Sequence, residues 1–205
     1  SDLRLPWFAE VNDDGTVRIE GARAGVMERE IEFAAEAGLD YWAFLLYPES
    51  SPMSVGLRQY LESPERHRLE FCLILHSTLK SPEDAWPRER DRALALLKED
   101  GYRTVLAERP LVYAFAGGDF PFERFVEFTE AARESGLDPY FVYMGWNPPA
   151  DYRSVSGKGF DAVSAYAKGG GQHHFSELTA SVEREYWQRA AAAGVPYVHL
   201  VTTGW

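Results

Sequence analysis

The chain has 205 residues, 45% of them hydrophobic, and 21 Lys and Arg against 32 Asp and Glu give a formal net charge of −11. That length and apolar content suffice for one domain with a sizeable core, and they exclude the disordered and collagen-like classes. The acidic balance, with no Lys/Arg cluster interleaved with aromatics, argues against nucleic acid and anionic membranes as partners and favours neutral or cationic ligands.

Taken in chain order, "LRLPWFAEV" opens the sequence as either a short strand or a loop into the first helix. Met27, Ile31, Ala34 and Ala35 share one helical face, and Gly38 closes that helix before an apolar run at 40–47. A second apolar run follows at 69–76. The next helix has Ser81 as N-cap, Pro82 behind it, and an apolar stretch ending in Leu96 and Leu97. Gly101 leads into an interrupted strand region with its core at 110–115. Phe122, Phe125, Val126 and Thr129 form the stripe of another helix, stopped by Gly136 before a strand at 138–145. A strand at 160–166 precedes a helix capped by Ser176, with Leu178, Val182, Tyr186 and Ala190 at helical spacing, and Gly194 introduces a last strand at 196–203.

These strands read as nearly continuous apolar runs, the pattern of parallel strands covered on both faces. Their alternation with helices predicts a single α/β domain over 1–205. Both an open doubly wound sheet and a (β/α)8 barrel use this alternation. No Gly-rich phosphate loop follows the first strand, and aromatic and polar residues follow every strand, which favours a TIM-barrel-like fold with one common mouth. About six to seven strands are present where a barrel has eight. The rhythm makes 196–203 the seventh, and the barrel is expected to be incomplete, its open edge covered by an oligomer contact or a missing segment.

The segments "REIEFAAEAGLDYWAFLLY", "LEFCLILH", "RPLVYAF" and "FDAVSAYA" with "VPYVHLVTTGW" resemble the glycoside hydrolase family 99-like group. That group includes WbsX-type proteins and is related to endo-α-mannosidases. The resemblance runs from about Leu5 to Trp205, with "AGLDYWAF" and the closing "TTGW" its most specific pieces. It implies a (β/α)8 barrel acting on glycans, endo-acting and α-mannosidase-like. The group carries its carboxylate pair in an Asn-Glu-Trp-x-Glu-like segment after the Gly-Trp. No such segment occurs here, and Gly145-Trp146-Asn147 lies on an earlier strand without the glutamates. Catalytic residues are therefore not carried over from the group.

Glycoside cleavage needs an acid for the leaving oxygen and a second carboxylate, about 5–5.5 Å away for retention or ~6.5–9.5 Å for inversion. At strand C-terminal ends the candidates are Glu49 in "LLYPESS" and Asp119 in "AFAGGDF", each otherwise a solvated loop acid. Sugar rings stack their C–H faces on aromatics, and Tyr47, Trp146, Tyr166 and Trp205 fall at or just past strand ends, either as packing or as a sugar-binding rim. His76 ends its strand at the same face, to bond a hydroxyl or to serve the loop. Trp42 and Phe44 read as core, and His199 as a core histidine. His173 and His174 lack spaced companion ligands, so no metal and no cofactor is expected. Lys168 either meets an anionic sugar or is solvated. Cys72, the one cysteine, sits in an apolar run and reads as an inert buried thiol.

The sequence thus points first to a glycoside hydrolase of an α-linked glycan. A non-catalytic glycan-binding barrel is the alternative, and glycosyl transfer ranks lowest because no Asp-x-Asp motif or phosphate loop is present. No run approaches the roughly 18 apolar residues of a membrane span. The start of the sequence shows no signal-peptide pattern, and secreted and cytoplasmic locations both remain open.

Overall fold

In a computed structural model, residues 5–116, 119–169 and 174–202 are described. A small antiparallel hairpin comes first, β1 (Glu10–Val11) with β2 (Val17–Arg18). Helix α1 (Val26–Glu36) follows, then strand β3 (Tyr41–Leu45), α2 (Val55–Glu62), β4 (Glu70–Leu75), α3 (Trp86–Leu96), the short β5 (Thr104–Val105), β6 (Arg109–Phe115), α4 (Phe122–Glu134), β7 (Tyr140–Gly145), α5 (Pro148–Val155) and β8 (Ala162–Ala165). The last helical stretch is α6 (Phe175–Val182), a π-helical turn Glu183–Trp187, and α7 (Gln188–Ala192).

The main sheet runs β3-β4-β6-β7-β8, all parallel, with β5 added antiparallel to β6. Its order follows the chain without reversal, whereas a doubly wound sheet reverses at a switch point. The helices also gather on one face. Trp42 and Phe44 of β3 and Phe71 of β4 meet Tyr60 of α2, and Phe141 of β7 meets Phe125 and Phe128 of α4. On the opposite face the register aligns Leu45, Ile74, Tyr113, Val142 and Ala162 in one row. One-sided helices over an unreversed parallel sheet make an α/β, TIM-barrel-like architecture, and the barrel is open. Among the described strands β3 pairs only with β4.

The Gly-terminated helices are as expected. Gly38, Gly136 and Gly194 directly follow the C-caps of their helices, with φ of 80°, 75° and 64°, a region where a side chain strains the backbone. Gly101, with φ 79°, instead lies in the turn beyond the Leu97 C-cap of α3 and does not end that helix. Two caps differ from expectation. Residues 82–85 form a turn, so α3 starts at Trp86 with Ala85 at its N-cap, and Pro87 in the first turn supplies the fixed φ. Ser81 instead ends a short 3₁₀ turn at Thr78–Lys80. At α6 the N-cap is His174, with the Glu177 carboxylate accepting from its backbone N–H at 3.1 Å, and Ser176 lies inside the helix.

The final strand also differs. Among the described residues, 196–202 contain only a parallel bridge from Tyr197 to Val163, held by Val163 N–H to Pro196 O and Val198 N–H to Val163 O. His199 is exposed and meets Trp187 and Tyr197 edge-on, so it is not a core histidine. The hairpin joining β5 to β6 turns through Leu106, Ala107 and Glu108, all at positive φ without a glycine.

Near its N-terminal end the gap between β4 and β6 is filled by Tyr102. Its buried hydroxyl donates to Leu111 O at 2.8 Å and accepts from Leu73 N–H at 3.1 Å. Burial pushes that phenol well above its ordinary pKa. Cys72 is fully buried one residue before Leu73, and burial likewise raises its thiol pKa, which keeps it unreactive. We predict that Tyr102→Phe, which strips both backbone groups of this partner, lowers unfolding stability by about 1–3 kcal/mol in chemical denaturation. No measurable loss would remove the hydroxyl from the account of sheet cohesion. Lys168, which pairs with Glu185 of the π turn, gives a second prediction. Hydrogen bonds from Lys168, Ser181 and Arg184 lower the Glu185 pKa to about 2. A depressed carboxylate stabilises the fold above its unfolded pKa and loses that contribution as pH falls through the folded one. Lys168→Met should therefore move the Glu185 titration upward by NMR, and an unmoved titration would show that the lysine does not hold it.

Candidate functional site

The ladder hydrogen bonds continue beyond the strands. Leu46 N–H reaches Ile74 O at 2.9 Å, Ala116 N–H reaches Met144 O at 3.0 Å and Tyr166 N–H reaches Gly145 O at 2.8 Å. The strand-end residues are thus fixed by backbone, not by loop packing. Strand alternation then decides which of them share a face. His76 lies two residues past Ile74, Phe115 two past Tyr113, Trp146 four past Val142 and Tyr166 four past Ala162, so all four continue the inner row.

The side chains meet there. Phe115 is the hub, stacked on Tyr166 with centroids 4.3 Å apart at 29°, and its ring lies 5.1 Å from His76 and 6.2 Å from Trp146. Trp146 and Tyr166 are 5.5 Å apart at 66°. Both keep broad exposed surface, 53% for Trp146 and 43% for Tyr166. Large aromatics this exposed, ordered against each other at the C-terminal end of a parallel sheet, offer an amphipathic platform. His76 Nδ1 lies 3.1 Å from Phe115 O. A carbonyl only accepts, so in this contact Nδ1 carries the proton and Nε2 of the neutral ring is left as an acceptor.

Three of the sequence candidates, His76, Trp146 and Tyr166, therefore form one cluster. Phe115 joins them from inside an apolar run, closing its strand directly before "AGG" as Trp146 and Tyr166 follow theirs. Tyr47 is placed separately. Its carbonyl accepts from the Arg92 guanidinium, itself held by the fully buried Glu89, and no ring contact joins it to the cluster among the described residues. Trp205 and His173 lie outside the described residues.

Glu49 and Asp119 follow β3 and β6, and both are exposed. Neither side chain has a polar partner among the described residues; the Glu49 backbone carbonyl accepts from Ser54 Oγ. A half-buried acid is found instead at Asp151 on α5, whose Oδ2 accepts from Trp146 N–H at 2.9 Å and Asn147 N–H at 2.7 Å. Burial raises its pKa, and these two bonds oppose the rise. No group of three or more His, Cys, Asp or Glu suited to a metal occurs among the described residues. No helix there is long and apolar enough to cross a membrane. A surface cavity of about 590 Å³ lies along α4 against residues 157–159, and none of the mouth residues lines it.

No family model matches the chain, and no curated protein matches it. Among solved structures it is similar to the GH99 endo-α-mannosidase from Bacteroides thetaiotaomicron, with a TM-score of 0.56 over 87% of this chain. It spans 53% of the length of that enzyme at 12% identity, and the likeness is accordingly one of fold.

Proposed function

We propose that the strand-end mouth binds a glycan and that the protein acts as a glycoside hydrolase on an α-linked glycan, in the manner of an endo-α-mannosidase. The observation that carries the reading is the Phe115–Trp146–Tyr166 cluster, whose exposed ring faces suit the C–H face of a pyranose. The His76 Nε2 lone pair beside it suits a sugar hydroxyl. The shared fold with an endo-α-mannosidase supports the substrate class. In this reading Trp146 and Tyr166 hold the ring, His76 orients it, and Tyr47 extends the rim. Glu49 and Asp119 are the candidate acid and base.

A second reading, glycan binding without turnover, is favoured by one observation. A general acid is tuned by burial or a close neighbour, and both strand-end carboxylates are exposed with unpartnered side chains among the described residues. We predict that Trp146→Ala and Tyr166→Ala each weaken binding of an α-linked manno-oligosaccharide about tenfold by calorimetry, on the order of 1.4 kcal/mol. Release of reducing ends, abolished in Glu49→Gln or Asp119→Asn, supports hydrolysis. Binding without turnover selects the second reading, and absence of saccharide binding removes both.

A further inference from the structure

Trp146 is half exposed, and its neighbours Phe115 and Tyr166 touch it only by ring edges. Its direction must therefore come largely through its backbone, and that backbone leaves the sheet at Gly145 and enters α5 at Pro148. Two prolines at the start of α5 remove the first two helical N–H groups, donors that a cap would otherwise have to satisfy. Asp151, fourth in the helix, turns back instead. One carboxylate oxygen takes both Trp146 N–H and Asn147 N–H, while Asp151 N–H donates to Asn147 O at 2.8 Å. The reciprocal bonds between residues 147 and 151 close the link into a ring.

Gly145 makes room for this arrangement. A Cβ there would lie 2.7 Å from Asp151 Cγ and closer still to Oδ2. Gly145 is not among the residues at positive φ, so its role is close approach. The carboxylate occupies the space a side chain would take, and burial there costs it solvation that the two amide bonds offset.

We propose that Asp151, lodged against Gly145, is the positioning residue of the mouth, setting the Trp146 indole for sugar stacking without touching the sugar. This rests on the glycan-binding reading above. Asp151→Asn keeps an acceptor oxygen in place, Asp151→Ala removes it, and Gly145→Ala displaces it. The test combines a double-mutant cycle with Trp146→Ala and acrylamide quenching of the Trp146 fluorescence, taken as the difference from a Trp146→Phe variant. An α-linked manno-oligosaccharide is the binding probe. We expect Asp151→Ala and Gly145→Ala to raise Kd about tenfold and to increase Trp146 quenching, with unchanged far-ultraviolet dichroism. Asp151→Asn should stay within about threefold of the parent, and Asp151→Ala should add less than about twofold in the Trp146→Ala background. Equal losses in both backgrounds, or unaltered quenching, would overturn the proposal. Should the parent bind no saccharide, the glycan reading fails, and the quenching still decides whether Asp151 sets Trp146.

Discussion

A slip of one residue between β6 and β7 would turn Phe115 and Trp146 to opposite faces, because strand side chains alternate with a period of two. Everything at the mouth depends on that register being fixed. It is fixed from the outer, helix-covered face. The outer row, Phe44, Leu73, Val112 and Phe141, is committed to the helix layer by burial and by aromatic contacts with α2 and α4. The inner row follows automatically, and its continuation past the strand ends gathers His76, Phe115, Trp146 and Tyr166. Core packing on one side of the sheet thereby determines site geometry on the other.

The same logic explains how exposed residues are held without being buried. Loops after the strands are tied by polar groups from a neighbouring helix or turn. Thr78 Oγ1 donates to Leu46 O at 2.6 Å, Arg92 of α3 reaches Tyr47 O, and Asp151 of α5 takes the amides of Trp146 and Asn147. Each tie acts on backbone, so at Tyr47 and Trp146 the side chain remains free to present its face, while Leu46 packs into the core. This suits binding of a neutral, amphipathic ligand, whose recognition requires ordered but solvent-facing rings. The open sheet leaves the inner face partly bare, as Ala43 on β3 shows by its exposure.

The strands and the glycine-terminated helices were legible because their signals are local: continuous apolar runs, and a residue tolerating positive φ at each helix end. The mouth was legible at His76, Trp146 and Tyr166 because chemistry-bearing residues directly follow those runs. Phe115 was hidden by being the last residue of its strand, where an aromatic looks like core. The Asp151 tie was hidden because it joins a carboxylate to loop amides, which no periodicity announces. Ser81 and Ser176 were plausible caps, yet a proline-initiated turn moved one helix start and the Glu177 carboxylate moved the other. The segment 196–202 has strand-like composition, but with a single bridge to β8 it has little ladder to join. His199, apolar-flanked in sequence, is therefore exposed.

The claim on which this account turns is that sugar binds at the strand-end rings. It is met most directly by following the indole N–H resonances of the six tryptophans while an α-linked manno-oligosaccharide is added. The account predicts a saturable shift of the Trp146 resonance, with the buried Trp86 unmoved. A saturable shift confined to other tryptophans, or no shift at any concentration, would contradict it.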